Sequence, residues 1–123
     1  MILVDTSAWV EFDRGTESAV HRALRELIRS DQAMAVTEPI IMEVVGGARS
    51  AARERELRSM LGYFTLLPFQ APGDFDAAAS IYRDCRRSGI TPRGYVDCMI
   101  AAVALRFGVP VLAKDKDFDR LAA

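Results

Sequence analysis

Four acidic side chains stand where an α/β chain would gather them. Asp5 follows the apolar run Ile2 to Val4, and Asp115 follows the run Val111 to Ala113. Glu43 lies in the segment EPIIMEVVGGAR, on one helical face with Ile40, Val44 and Gly47. Asp97 lies in YVDCMIAAVALRF and heads a stripe with Ile100, Ala101, Ala104 and Leu105. Two acids at strand ends and two on inward-facing helical stripes are expected to converge on one edge of a sheet. Each also has a purely structural reading. Asp5 could cap a helix, Asp97 could complement a helix N-terminus, Glu43 could pair with an arginine and Asp115 could belong to a turn. Their convergence favours chemistry. Close carboxylates repel and raise one another's pKa, and a hard divalent cation removes that penalty. Oxygen-only donors select Mg2+ or Mn2+ over zinc or copper. Such an ion at an open site holds a phosphate group and acidifies a bound water for in-line attack. No serine, cysteine or histidine nucleophile is then needed, and the only histidine, His21, is expected on a surface helix. The residues point to a metal-dependent phosphodiesterase or nuclease.

The elements that must position these acids are short strands separated by helices. Ile2 to Val4 reads as a buried strand followed by a helix cap at Asp5, Thr6 and Ser7. Val20, Ala23, Leu24, Leu27 and Ile28 recur at helical spacing within Glu17 to Ile28. Ala33 to Val36 is a second strand, and Pro39 sits in the first turn of a helix that reaches Val45 and stops at Gly46 and Gly47. A charged helix over Arg49 to Leu61 pairs Glu54 with Arg58, and Phe64 to Leu67 is a third strand ended by Pro68. Helices follow from Gly73 to Ser88 and from Gly94 to Phe107, and Val111 to Ala113 is the fourth strand. Continuously apolar strands imply a mainly parallel sheet covered on both faces. In such sheets, sites form beyond the carboxyl ends of the strands.

The 123 residues amount to one domain, and the formal net charge of −1 gives no general attraction to nucleic acid. Local basic clusters exist all the same. Cys85 and Cys98 fall in different helices with a single histidine in the chain, so no Cys/His zinc site is available. Reduced thiols are expected, and with them a cytoplasmic setting. The start, MILVDTSAWVEF, has no basic n-region, and the longest apolar run, Cys98 to Leu105, is too short to span a bilayer. Trp9, Phe12 and the Ile40 to Val45 region are read first as core, with a dimer interface or a partner groove as the other options.

Three segments in order, MILVDTSAWVEF, EPIIMEVVGGAR and YVDCMIAAVALRFGVPVLAKDKDF, resemble the PIN-domain toxins of the VapC family. These are the ribonuclease halves of type II toxin–antitoxin modules. The resemblance covers nearly the whole chain and implies a three-layer α/β/α PIN-like domain over residues 1–123 with a short, mainly parallel sheet. It also implies an acidic cluster that holds Mg2+ or Mn2+ and cleaves RNA, structured RNA such as tRNA included. Residue by residue, Asp5, Glu43, Asp97 and Asp115 match the family's catalytic, metal-holding acids. Asp117 matches an auxiliary acid, and Thr6 and Ser7 match auxiliary hydroxyls beside the first aspartate. Ala113 departs from the pattern, since relatives carry threonine or serine there, and Cys98 replaces a common alanine. Family members act in the cytoplasm as homodimers or larger toxin–antitoxin assemblies, and a VapB-type antitoxin neutralises them.

RNA requires a positive track to the acids. Arg83, Arg86 and Arg87 close one helix, Arg93 precedes the Asp97 helix, and Lys114 and Lys116 flank Asp115. These are the expected phosphate contacts. A receiver-type phosphoacceptor domain also places acids at strand ends. It needs paired acids after the first strand and an aspartate after the middle one, where this chain reads LLPF. A catalytically silent RNA- or protein-binding module of the same fold is the alternative that Ala113 leaves open.

Overall fold

The computed structural model describes residues 1–91 and 94–114. Its elements in chain order are β1 (Ile2–Val4), α1 (Thr6–Arg14), α2 (Ala19–Arg29), β2 (Met34–Val36), α3 (Glu38–Gly46), α4 (Ala51–Leu61), β3 (Thr65–Leu66), α5 (Gly73–Arg87), α6 (Tyr95–Phe107) and β4 (Val111–Leu112). The four strands form one parallel sheet in the order β3-β2-β1-β4, flanked by helices. Leu3 is opposite Ala35 on one side and Val111 on the other, so β1 and β2 are the inner strands. Both are apolar throughout because their side chains meet helices rather than water. Leu3, Val4, Leu24, Val36, Ile40, Leu61, Ile100 and Val103 are among the fully covered side chains of the core.

The order also fixes where a site can form. The chain leaves β1 toward β2 and β3, then returns to lay β4 on the opposite side of β1. The carboxyl ends of β1 and β4 therefore flank a topological switch point, the crevice where open parallel sheets bind ligands. Asp5 follows β1 directly, and Lys114 and then Asp115 follow β4.

The outer strands depart from expectation. β3 is Thr65–Leu66 rather than Phe64 to Leu67, and both of its residues are exposed. β4 is Val111–Leu112 rather than Val111 to Ala113, and among the inner strands β2 begins at Met34, with Ala33 exposed. An edge strand has a neighbour on one side only, so its ladder ends wherever that neighbour's does. His21 is buried, not on the surface. Its Nδ1 accepts the Glu17 backbone N–H at 2.8 Å, and its ring lies edge-on to Phe12 at 5.5 Å.

α5 and α6 form an antiparallel pair joined by an ion pair between a buried carboxylate and an exposed arginine. Asp74 is 3% exposed. Arg106 donates to it twice, Nε to Oδ1 at 2.9 Å and Nη2 to Oδ2 at 2.7 Å, and the Gln70 N–H donates to Oδ2 at 2.8 Å. Three charge-assisted bonds satisfy a carboxylate that burial alone would destabilise. The pair ties the C-terminal end of α6 to the start of α5. Among the described residues, no helix is long and apolar enough to cross a membrane.

Candidate active site

The site begins at the turn from β1 into α1. Asp5 occupies the N-cap with an extended backbone, and its Oδ2 accepts the Ser7 N–H at 3.0 Å. The Ser7 hydroxyl donates to the same oxygen at 2.6 Å. Asp5 is 3% exposed. The capping reading of Asp5 is therefore correct, and it coexists with the placement at the strand end. A carboxylate held by two donors has a fixed orientation, which is what a metal-site ligand requires.

Two further bonds bring other elements to this turn. Thr6 Oγ1 donates to Glu43 Oε1 at 2.7 Å, tying α1 to α3. The Lys114 backbone N–H donates to Ser7 Oγ at 3.0 Å, tying the end of β4 to the same turn. The Asp5 N–H in turn donates to Leu112 O at 2.9 Å. Glu43 is exposed, not on the inward face that its spacing with Ile40 and Val44 suggested. It reaches the site along the rim through Thr6. Asp97 lies in the first turn of α6 and is half-buried. Leu105 of its stripe is 49% exposed, whereas Ile100, Ala101 and Ala104 of that stripe are buried.

The next residue, Cys98, is fully buried and is a free thiol, as is Cys85. Burial, then the nearby Cys85 and Asp97, push the Cys98 thiol up to about 11. It is a small apolar filler beneath the acid and no nucleophile.

Lys114 adds an interaction that the sequence reading missed. Its Nζ pairs with Oε1 of Glu11, a residue of α1 that is 6% exposed. The Lys114 ammonium, then a hydrogen bond with Thr16, hold the Glu11 carboxyl below the ordinary carboxylate range. Glu11 falls three residues after the buried Ala8, so helical spacing already put it on an inner face. That was the available signal.

Asp115, Asp117, Lys116 and Arg93 lie outside the described residues. Among the described residues, no three His, Cys, Asp or Glu side chains are close enough to hold a metal ion. The donors at this edge are nevertheless all hard oxygens. Those that hydrogen bonds bring together at the turn are the carboxylates of Asp5 and Glu43 and the hydroxyls of Thr6 and Ser7, a set that suits Mg2+ or Mn2+. Arg83, Arg86 and Arg87 are exposed and line one recess at the end of α5.

The PIN domain family model matches residues 2–123. The chain belongs to the PIN-domain family. Within that family it groups with VapC. It is 42% identical over 123 residues to a VapC ribonuclease of Mycobacterium bovis and to Ribonuclease VapC11 of Mycobacterium tuberculosis, covering 99% of this chain and 92% of each relative. Among solved structures, VapBC2 of Rickettsia felis bound to a fragment of its promoter DNA superposes with a TM-score of 0.73 at 16% identity, covering 98% of this chain and 92% of that one. VapC20 of Mycobacterium tuberculosis, a toxin that cleaves the sarcin-ricin loop, superposes with a TM-score of 0.71 at 18% identity, covering 98% and 94%. Both superpositions show the PIN fold. In this PIN domain the DTS turn, Asp5 to Ser7, is thus the junction of α1, α3 and β4.

Proposed function

We propose that this chain is the RNA-cleaving toxin of a VapBC-type module. In this reading residues 1–123 act as one domain, and Asp5, Glu43, Asp97 and Asp115 hold Mg2+ or Mn2+. The observation that carries the reading is the junction at the DTS turn. Thr6 and Ser7, adjacent in sequence, bind Glu43, Asp5 and the backbone leading into Asp115. A helix cap alone would require none of the bonds to α3 and β4.

The residues divide the work. Ser7 keeps the Asp5 carboxylate in one rotamer, and Thr6 anchors one oxygen of Glu43 so that this exposed side chain stays at the rim. Asp97 approaches from α6, and Asp117 serves as an auxiliary acid. A bound divalent cation would neutralise these charges, polarise the scissile phosphate and supply an acidified water. Arg86, Arg87, Arg93, Lys114 and Lys116 are the phosphate contacts of the proposal, and structured RNA such as tRNA is the substrate class. A groove between α1, α3 and α4, lined by Val10, Val44, Leu57 and Met60 with Arg49 and Arg53 at its rim, suits an apolar segment of a VapB-type antitoxin. The protein acts in the cytoplasm and pairs with a second copy.

Sequencing RNA 5′ ends after brief induction tests the reading. New ends at a restricted set of positions, absent with the Asp97→Asn protein, support it. Identical end profiles from both proteins would favour the catalytically silent module.

A further inference from the structure

Tyr95 is 63% exposed at the first position of α6, two residues before Asp97. Its ring stacks on Tyr82 of α5, with centroids 4.3 Å apart and planes 16° from parallel. Tyr82 is half-buried. One face of Tyr95 is thus backed by a seated ring while most of its surface meets water. An exposed tyrosine pre-oriented in this way contributes little to the core, and a ring held in place loses little freedom when a planar ligand stacks on it.

The surroundings indicate what that ligand is. Arg86 lies one helical turn after Tyr82, on the same face of α5, and shares a recess with Arg83 and Arg87. Among the described residues, none of these arginines forms an ion pair. Unpaired guanidinium groups beside a presented aromatic face match the two repeating parts of a single strand, phosphate and base. The position fits as well. α5 and α6 form a hairpin, so the C-terminal turn of α5 lies at the sheet edge where α6 begins. Tyr95 and Asp97 are two residues apart in α6, about 3 Å along the axis but about 200° around it, so the ring and the carboxylate stand on different faces of one helical turn. We infer that Tyr95, backed by Tyr82, is a stacking subsite for one unpaired base of the RNA, at the same end of α6 as Asp97 but on another face of the helix. The arginines Arg83, Arg86 and Arg87 hold the neighbouring phosphates. This inference rests on the ribonuclease reading and adds a unit of the RNA that the protein recognises.

The test is a cycle between protein ring and RNA base. Single-stranded heptaribonucleotides labelled with fluorescein, intact or lacking the base at each position in turn, are titrated into the Asp97→Asn protein, which binds without cutting. In that background Tyr95→Ala is expected to weaken binding of the intact strand about tenfold. It should leave the affinity for one of the abasic strands unchanged. Tyr95→Phe, which keeps the ring, is expected to bind like the parent. Equal affinity of parent and Tyr95→Ala for the intact strand would overturn the subsite. So would a loss of the same size with every abasic strand. A change in sedimenting mass on Tyr95→Ala with RNA affinity unchanged would overturn it in favour of a protein interface. Binding is read by itself, so absence of cleavage by the parent protein would count against the nuclease reading and not against the stacking.

Discussion

Thr6 and Glu43, 37 residues apart in the chain, are joined by a 2.7 Å hydrogen bond from Oγ1 to Oε1. Neither residue is part of the core. The bond therefore spends the ordering of two side chains near the surface, which stabilises the fold little. It does place an acid of α3 beside the acid that follows β1. Thr6→Val, which keeps the shape and removes the donor, is expected to lower the apparent affinity for the activating metal about tenfold, the usual size for an outer-shell partner. Thermal stability should change by less than about 1 kcal/mol. Metal titration of RNA cleavage checks this, and Thr6→Ser should restore the parent behaviour. An unaltered metal midpoint for Thr6→Val would remove Thr6 from the site.

Ser7 is asked to do more, since it donates to Asp5 and accepts from the Lys114 backbone. Ser7→Ala loses the hydroxyl bond to Asp5 and leaves the Lys114 N–H without its acceptor. A stability loss of about 1–2 kcal/mol in denaturant unfolding is expected, together with weaker metal activation. If stability falls but the metal response is intact, Ser7 is a cap and no more.

Much of this was legible in the chain itself. The inner strands announced themselves as apolar runs, the first stopped by Asp5 and the second followed by Pro39, and the caps and glycines framed the helices. Nine of the ten elements fall close to the ranges read from the sequence, and α1 begins at the cap that marked it, because local chemistry and tertiary burial agree there. Glu43 and Glu11 differ from expectation through partners distant in sequence, and His21 through partners close to it. Glu43 sits on an apolar stripe yet is exposed, because Thr6 offers it a bond at the rim. His21 is on a charged helix yet buried, because the Glu17 backbone and the Phe12 ring close over it. Glu11 was passed over because its cation, Lys114, arrives from the other end of the chain.

That Glu11–Lys114 pair changes what Lys114 can contribute to RNA. A lysine clasped by a nearly buried carboxylate gives up part of its attraction for phosphate. Lys114→Met should flatten the salt dependence of RNA binding by less than one full counterion. Glu11→Gln, which releases the ammonium, should steepen it. Measuring log Kd against log salt for the two variants decides the point, and a full-unit flattening in Lys114→Met would make Lys114 a direct phosphate contact despite Glu11.

The Asp74–Arg106 pair predicts how stability depends on acid. Arg106, opposed by burial and aided by the Gln70 N–H, holds the Asp74 carboxyl below its ordinary value. A depressed folded pKa means stability that is fully present above the unfolded value of about 3.9 and is lost as pH falls through the folded one. Asp74→Asn should cost about 2–3 kcal/mol at neutral pH and should lose less stability than the parent on acidification from about pH 5 to 2. Denaturant midpoints across that range check it. Parallel curves would show that the pair is not what acid breaks.

The most direct test of the account is the metal dependence of RNA cleavage by purified protein, with and without the carboxylate of Asp97. The parent should be inactive in chelator, recover with added Mg2+ or Mn2+, and outpace an equally folded Asp97→Asn by about 100-fold or more. Cleavage that persists in chelator, or that is equal in the two proteins, would contradict the claim that the acids at this sheet edge form a metal-dependent nuclease site.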